Sequence, residues 1–314
     1  MAVACQSMDT FGALRSSRKG KMKLMFRVLF LFLTALGLAA AAETQLIPAR
    51  IIGNVYYVGE PDLTSFLIVT PKGNIIINTG FIYSVPEIKA RIEKLGFKYA
   101  DTKILLVTHA HSDHAAGLAL IKKQTGARMI AMEQEAPQLE TGGKTDYLFG
   151  SAGYFDPVKV DQKIKDGDKI ELGGTVITAH LTAGHTQGAT SYTWDATDGG
   201  KTYHVLLANL PSMNEGTRLY KNEVYKTIDK DYAATFETLA ALPCDIYLTS
   251  HGGQFGLMTK LHGKPEYSPE RFVDRQYLPY ILGRLEQKFV EQYQDEVEEY
   301  QTYKDHLKFK DGPR

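Results

Sequence analysis

The stretch KILLVTHAHSDHAAG, Lys103–Gly117, places three histidines and one aspartate within six residues, His109 to His114, of a chain with nine histidines in 314 residues. The run Lys103–Thr108 is short and apolar and reads as a buried strand. The cluster therefore leaves a strand end, where residues two apart project to one side. Ala110 and Ser112 add little bulk, so the imidazoles of His109 and His111 can turn toward a shared point. His114 opens the next helical run and faces differently. A lone histidine is usually a surface or satisfied core residue. Three in six positions, with an aspartate between them, point to metal binding and suit two metal positions rather than one.

Four donors do not complete two zinc sites, because a catalytic zinc takes three protein ligands and a water. Two further histidines share the context of apolar strand, ligand, small residues. These are His185 in TAGHTQG, Thr182–Gly188, and His251 in LTSHGGQFG, Leu248–Gly256. His180, His204, His262 and His306 lack that context and read as structural or surface residues. Glu133, Glu135 and Asp146 read as solvated charge rather than further metal ligands.

Around these motifs the chain alternates strands and helices. Arg50–Gly59, Thr64–Thr70 and Gly73–Gly80 read as a strand meander. Ser84–Phe97 has apolar residues at helical spacing, with Ser84 as cap and Gly96 as stop. His114–Gly126 reads as one helix with Asp113 as N-cap. Strands are predicted at Lys169–Leu172, Thr175–Leu181, Thr190–Trp194, Tyr203–Ala208 and Asp245–Thr249, and helices at Lys230–Ala241 and from Pro269 onward. The last carries an apolar stripe, Leu282, Leu285, Phe289 and Tyr293, that docks one face while the charged tail frays outward. Two sheet-plus-helix halves of similar length, with no Gly/Ser or Pro-rich linker, predict one duplicated α/β (α+β) domain.

The N-terminus differs from the rest. Lys19–Ala42 runs from a basic segment through an apolar stretch to small residues, the order of a secretory signal peptide. Met22 would begin a cleaner signal than Met1. Cleavage is expected near Ala42, giving a removed leader, residues 1–42, a mature domain, residues 43–314, and a periplasmic protein with no stable membrane association. The mature chain then has 30 Lys and Arg against 35 Asp and Glu, a net charge of −5. That excludes an electrostatic nucleic-acid binder, which needs a basic face. Cys244 becomes the one cysteine, so no internal disulfide forms.

THAHSDHAAG, GHTQG and SHGG together resemble the H-x-H-x-D-H signature and later ligand motifs of the metallo-β-lactamase fold, across nearly the whole mature chain. The resemblance implies an αββα sandwich with a site for two Zn2+ at one edge. It implies one zinc on His109, His111 and His185, and another on Asp113, His114 and His251. No cysteine enters the site, which resembles the class B β-lactamases of subclass 3. The implied activity is hydrolysis of the β-lactam amide of penicillins, cephalosporins and carbapenems by a metal-bound hydroxide that the catalytic Asp113 orients. A monomer acting on a small molecule and conferring antibiotic resistance follows. The alternative is a hydrolase of the same fold acting on lactones, thioesters or phosphodiesters.

Families with that alternative chemistry resemble one another in an aspartate bridging both metals, at a strand end between the last two histidine ligands. The corresponding stretch here is YHVLLANLPSMNEG, Tyr203–Gly216, with Asn209 where the aspartate is expected. Asp195 and Asp198 are expected in a turn before that strand. Ser212 and Asn214 are candidates to bind the substrate carboxylate. Ser112 and Thr217 stand where related enzymes commonly carry aromatics. Glu140–Phe155, rich in Gly and aromatics, reads as a surface loop, with a flap over the site as the second reading.

Overall fold

In a computed structural model, residues 48–264 and 266–310 are described, with side chains through Lys304. The expected leader, residues 1–42, and the His306 side chain lie outside the described residues. The first sheet has seven strands in chain order: β1 (Ala49–Ile52), β2 (Val55–Tyr57), β3 (Phe66–Thr70), β4 (Gly73–Ile77), β5 (Thr102–Leu106), β6 (Arg128–Met132) and β7 (Gln162–Ile164). The second runs β12 (Ile246–Thr249), β11 (Lys201–Ala208), β10 (Thr190–Asp198), β9 (Thr175–Leu181) and β8 (Lys169–Leu172). Hairpin-linked neighbours are antiparallel. β4 through β7, and β11 with β12, are parallel because helices cross over between them. The crossovers are α1 (Val85–Lys94), α2 (Ser112–Ala115) with α3 (Leu118–Thr125), α4 (Ala136–Thr141) and α5 (Ile228–Ala241). α6 (Leu257–Leu261) and α7 (Tyr277–Lys310) close the chain.

Register explains why the central strands are apolar without alternation. Leu67, Ile76, Leu105 and Met129 are aligned across four strands and join Ile88, Ile92, Leu118 and Ile121 of α1 and α3 in one buried cluster. Their neighbours, Ile68, Ile75 and Ile104 in one row and Phe66, Ile77 and Leu106 in the next, point to the opposite face and are fully buried too. A sheet covered on both faces needs this pattern. The backbone N–H of Thr190 donates to Thr108 O at 2.7 Å, and Tyr192 OH to Val107 O at 2.9 Å, tying β10 to the end of β5. Two mixed sheets with helices are thus the architecture, as the αββα expectation required.

Several local expectations are corrected. Arg50–Gly59 is two strands, turned at Gly53 (φ 52°), whose N–H donates to Asp198. Ser84 is at the N-cap position of α1 but makes no capping bond, because a 3₁₀ turn precedes it. Its hydroxyl donates to the Glu60 carboxylate instead. The helix expected over His114–Gly126 breaks into α2 and α3 at Gly117, where a Cβ would lie 2.7 Å from Val85 and 2.9 Å from Thr79 O. Asp113 is not its cap but lies inside α2, with His111 at the N-cap. Asp195 and Asp198 are in β10, not in a turn. β6, β7 and α4 were not expected.

Candidate metal centre and active site

The histidine-bearing loops converge where the C-terminal ends of the parallel strands meet β9 and β10, around a cavity of about 550 Å³. Ligand atoms of His109, His111 and His185 lie within 4.8 Å of one another, as do those of His109, Asp113 and His114. His251 stands beside the second group, its Nε2 3.7 Å from Asp113 Oδ2 and its ring 4.9 Å from that of His114. All six expected ligands are therefore brought together.

Three of the donors are aimed by partners behind them. His185 Nδ1 sits 2.7 Å from Ser212 O, so Nδ1 carries the proton and Nε2 is free to ligate. His251 Nδ1 faces Asp62 Oδ2 at 3.1 Å, which turns its Nε2 toward Asp113. His111 uses Nε2 on Asp146 Oδ2 at 3.1 Å, leaving Nδ1 for a metal. Asn78, held at φ 62°, accepts the Thr108 N–H at 2.9 Å and fixes the backbone entering the cluster.

Glu135 joins the two ligand loops. Its carboxylate accepts the N–H of Ala110, between His109 and His111. It also accepts the Thr186 hydroxyl and, at 2.8 Å, the Gly188 N–H, just beyond His185. Gly188 is required there, since a Cβ would lie 2.1 Å from Glu135 N. Glu135 and Asp146 are buried, 1% and 8% exposed, which overturns their reading as solvated charge; Glu133 is exposed as expected. Asp62, Glu135 and Asp146 are the functional positions that sequence reasoning missed. For Glu135 the one available signal was its setting in AMEQEAPQL, beside apolar and small residues.

The electrostatics favour neutral imidazoles around an ionised carboxylate. Burial, then the neighbouring imidazoles, holds His109 well below its usual range, and brings His185 down to about 3. Burial also lowers His114. Burial opposes ionisation of Asp113, but contact with His114 and the imidazoles of His111 and His251 outweighs it and lowers its pKa. His114 is fully buried. Its Nδ1 has no hydrogen-bond partner, and its Nε2 is 3.1 Å from Asp113 Oδ2 without hydrogen-bond geometry. An unpartnered buried polar group costs about 1–3 kcal/mol. Neutral imidazoles and one carboxylate with free lone pairs fit a zinc donor set.

Ser112, Asn209, Ser212 and Asn214 all line the cavity. Asp113 is the one carboxylate on its wall among the described residues. Asn209 is buried at the end of β11, its backbone N–H donating to Ser191 Oγ at 2.9 Å. The Glu140–Phe155 loop is more than surface: Phe149, Ala152 and Gly153 line the cavity, and the Phe149 ring lies 5.2 Å from that of His111. Thr217 is buried behind the wall, 3.4 Å from Tyr147 OH.

The sequence model of the metallo-beta-lactamase superfamily matches residues 59–198. The native metallo-beta-lactamase of Legionella gormanii superposes with a TM-score of 0.77 at 43% identity, covering 80% of this chain and 96% of that one. The chain belongs to the metallo-beta-lactamase superfamily. A class B3 di-zinc metallo-beta-lactamase from an Alaskan soil metagenome is similarly close, with a TM-score of 0.76 and 40% identity over 78% of this chain and 94% of that one. Among curated sequences, a hydroxyacylglutathione hydrolase of Rhodopseudomonas palustris is 29% identical over 106 residues, 34% of this chain. The chain matches only about a third of that relative's length, 33%. Both solved structures are metallo-beta-lactamases, hydrolases of this fold, and the chain's histidine cluster is a candidate metal-binding group.

Proposed function

We propose that the chain hydrolyses the β-lactam amide bond of penicillins, cephalosporins and carbapenems, as a periplasmic enzyme conferring antibiotic resistance. His109, His111 and His185 would hold one zinc ion, and Asp113, His114 and His251 a second. Bound zinc lowers the pKa of water toward about 7 and so supplies hydroxide at neutral pH. Asp113, held ionised, accepts a hydrogen bond from the attacking water and orients it. Ser212 and Asn214 reach the cavity with side chains suited to the substrate carboxylate. Phe149 lines the cavity beside His111 and offers an apolar surface to the substrate there.

The observation that carries this reading over a phosphodiesterase or thioesterase is the wall at the end of β11. Asn209 and Leu210 both line the cavity, and neither offers a carboxylate to clamp a metal pair. In-line displacement at phosphorus relies on two clamped metals. Lactam opening needs a free hydroxide and an electrophile for the departing nitrogen. The deciding measurement compares hydrolysis of a carbapenem, a lactone, a thioester and a chromogenic phosphodiester by zinc-loaded protein, with zinc per chain counted on the same sample. Lactam turnover that exceeds the others, at close to two zinc ions per chain, is expected. Inertness toward every β-lactam class, faster phosphodiester cleavage, or one zinc per chain in zinc excess would refute the reading. Asn209→Asp should depress lactam turnover.

A further inference from the structure

We infer that the C-terminal helix α7 is a positioning element for the substrate wall, acting through Glu296 and Gln292 on the backbone of the loop that follows Asn214. One Glu296 carboxylate oxygen, Oε2, accepts both the Leu219 N–H at 2.8 Å and the Tyr220 N–H at 2.7 Å. Gln292, one turn earlier, donates Nε2 to Thr217 O at 2.6 Å and to Glu296 Oε1 at 2.9 Å. Three backbone groups within four residues are thus held by two side chains of one helix. The same loop closes on Asn214, because the Thr217 N–H donates to Asn214 O at 3.0 Å.

The loop has two independent anchors. Its first part is held at Ser212, whose carbonyl takes His185 Nδ1 and also the Tyr232 hydroxyl at 3.1 Å. Its second part, from Asn214 onward, is held by α7 and is also touched from another element, with the Tyr147 hydroxyl 3.4 Å from Thr217 Oγ1. Phe289 of α7 packs on Tyr232 and Phe236 of α5, with ring centroids 5.9 and 5.7 Å apart, and Tyr293 packs on Tyr220 at 5.7 Å. These contacts set the helix at a defined height against the loop. The chemistry matches: an anionic carboxylate accepting two backbone N–H groups is a charge-assisted arrangement, stronger than neutral hydrogen bonds. A helix serving only to cover apolar surface needs none of it.

The consequence for catalysis rests on the reading given under Proposed function. Losing Glu296 releases the Leu219 and Tyr220 N–H groups and loosens the loop that carries Asn214, but leaves Ser212 and the metal ligand His185 anchored. Substrate affinity should suffer while metal binding and the chemical step do not. Three variants test this in the full-length, zinc-loaded protein: Glu296→Ala, Glu296→Gln, which keeps an acceptor oxygen, and Gln292→Ala, which removes fewer bonds. For penicillin hydrolysis, Glu296→Ala should raise KM roughly tenfold with kcat within about twofold of wild type, the signature of lost binding rather than lost transition-state stabilisation. Zinc content should stay at the wild-type value. Glu296→Gln should recover most of the KM, and Gln292→Ala should shift it in the same direction by less. Hydrogen exchange over residues 212–222, read by mass spectrometry, should quicken in Glu296→Ala. Unchanged exchange there overturns the inference, whatever the substrate. Unchanged KM, or a KM that holds while kcat and zinc content fall together, overturns it as well. A wild type inert toward β-lactams would instead refute the function, and exchange alone would then decide the inference.

Discussion

Glu135→Ala loosens the candidate site from behind without touching a ligand. The carboxylate satisfies three donors: the Ala110 N–H, the Thr186 hydroxyl and the Gly188 N–H. All three residues are buried, so none of these donors meets bulk water after truncation. At about 1–3 kcal/mol for each stranded donor, the gross loss is roughly 3–9 kcal/mol. Two effects reduce it. The wild type carries the desolvation of a buried carboxylate, visible in a pKa raised by burial, and the variant does not. Water entering the vacated space can also satisfy some donors. A net destabilisation of about 3–5 kcal/mol remains, in line with removal of one partner from a buried charged network. Against a typical stability of about 5–15 kcal/mol this is a large fraction. The assay is urea unfolding of the metal-free protein, comparing midpoints at equal m. Metal-free conditions separate the effect from ligand binding. The midpoint should fall by about 1–2 M, given m near 2–3 kcal/mol per M for a chain of this size. A shift worth less than about 0.5 kcal/mol, the scale of an ordinary surface substitution, would refute the argument that Glu135 holds the two ligand loops together.

Two further expectations are direct. Asp62→Ala should weaken the second zinc selectively, by about 10–100-fold, because it removes the carboxylate that orients His251; stepwise chelator titration would show one affinity moving and the other fixed. Burial works against ionisation of Asp161, but the Lys122 ammonium and the Met129 N–H outweigh it and lower its pKa. Its stabilising contribution is therefore present above the unfolded carboxylate range and is lost as pH falls through the lower folded value. Asp161→Asn should flatten the decline of the unfolding midpoint below about pH 4 and leave its slope at pH 6–8 as in wild type.

What was legible in the sequence, and what was not, follows from which interactions are local. The strand ends carrying His109, Asn209 and His251 were readable because strand segments buried on both faces write themselves as uninterrupted apolar residues, whereas β9, before His185, alternates and was readable from that period. The break at Gly117 was not, because its cause is Thr79 and Val85, more than 30 residues away. The hairpin at Gly53 was missed because its turn is stabilised by Asp198 across the molecule. Asp62, Glu135 and Asp146 act on groups of the ligand loops 25 to 189 residues distant, and an acidic residue in a loop looks solvated until something folds over it. Ser212, Asn214 and Ser112 were found through family resemblance; spacing alone distinguishes none of them from turn residues.

The two sheets divide the proposed ligands unequally. His109, His111, Asp113 and His114 follow β5 of the first sheet, and His185 and His251 belong to the second. A chain opened at the exposed turn between β7 and β8, Lys165–Asp168, leaves neither fragment with a complete set for either ion. Each zinc would then act as a rivet through the seam. Reassembly of the two fragments would answer to free zinc, so that the dissociation constant of the pair would report metal concentration much as a split reporter reports its analyte.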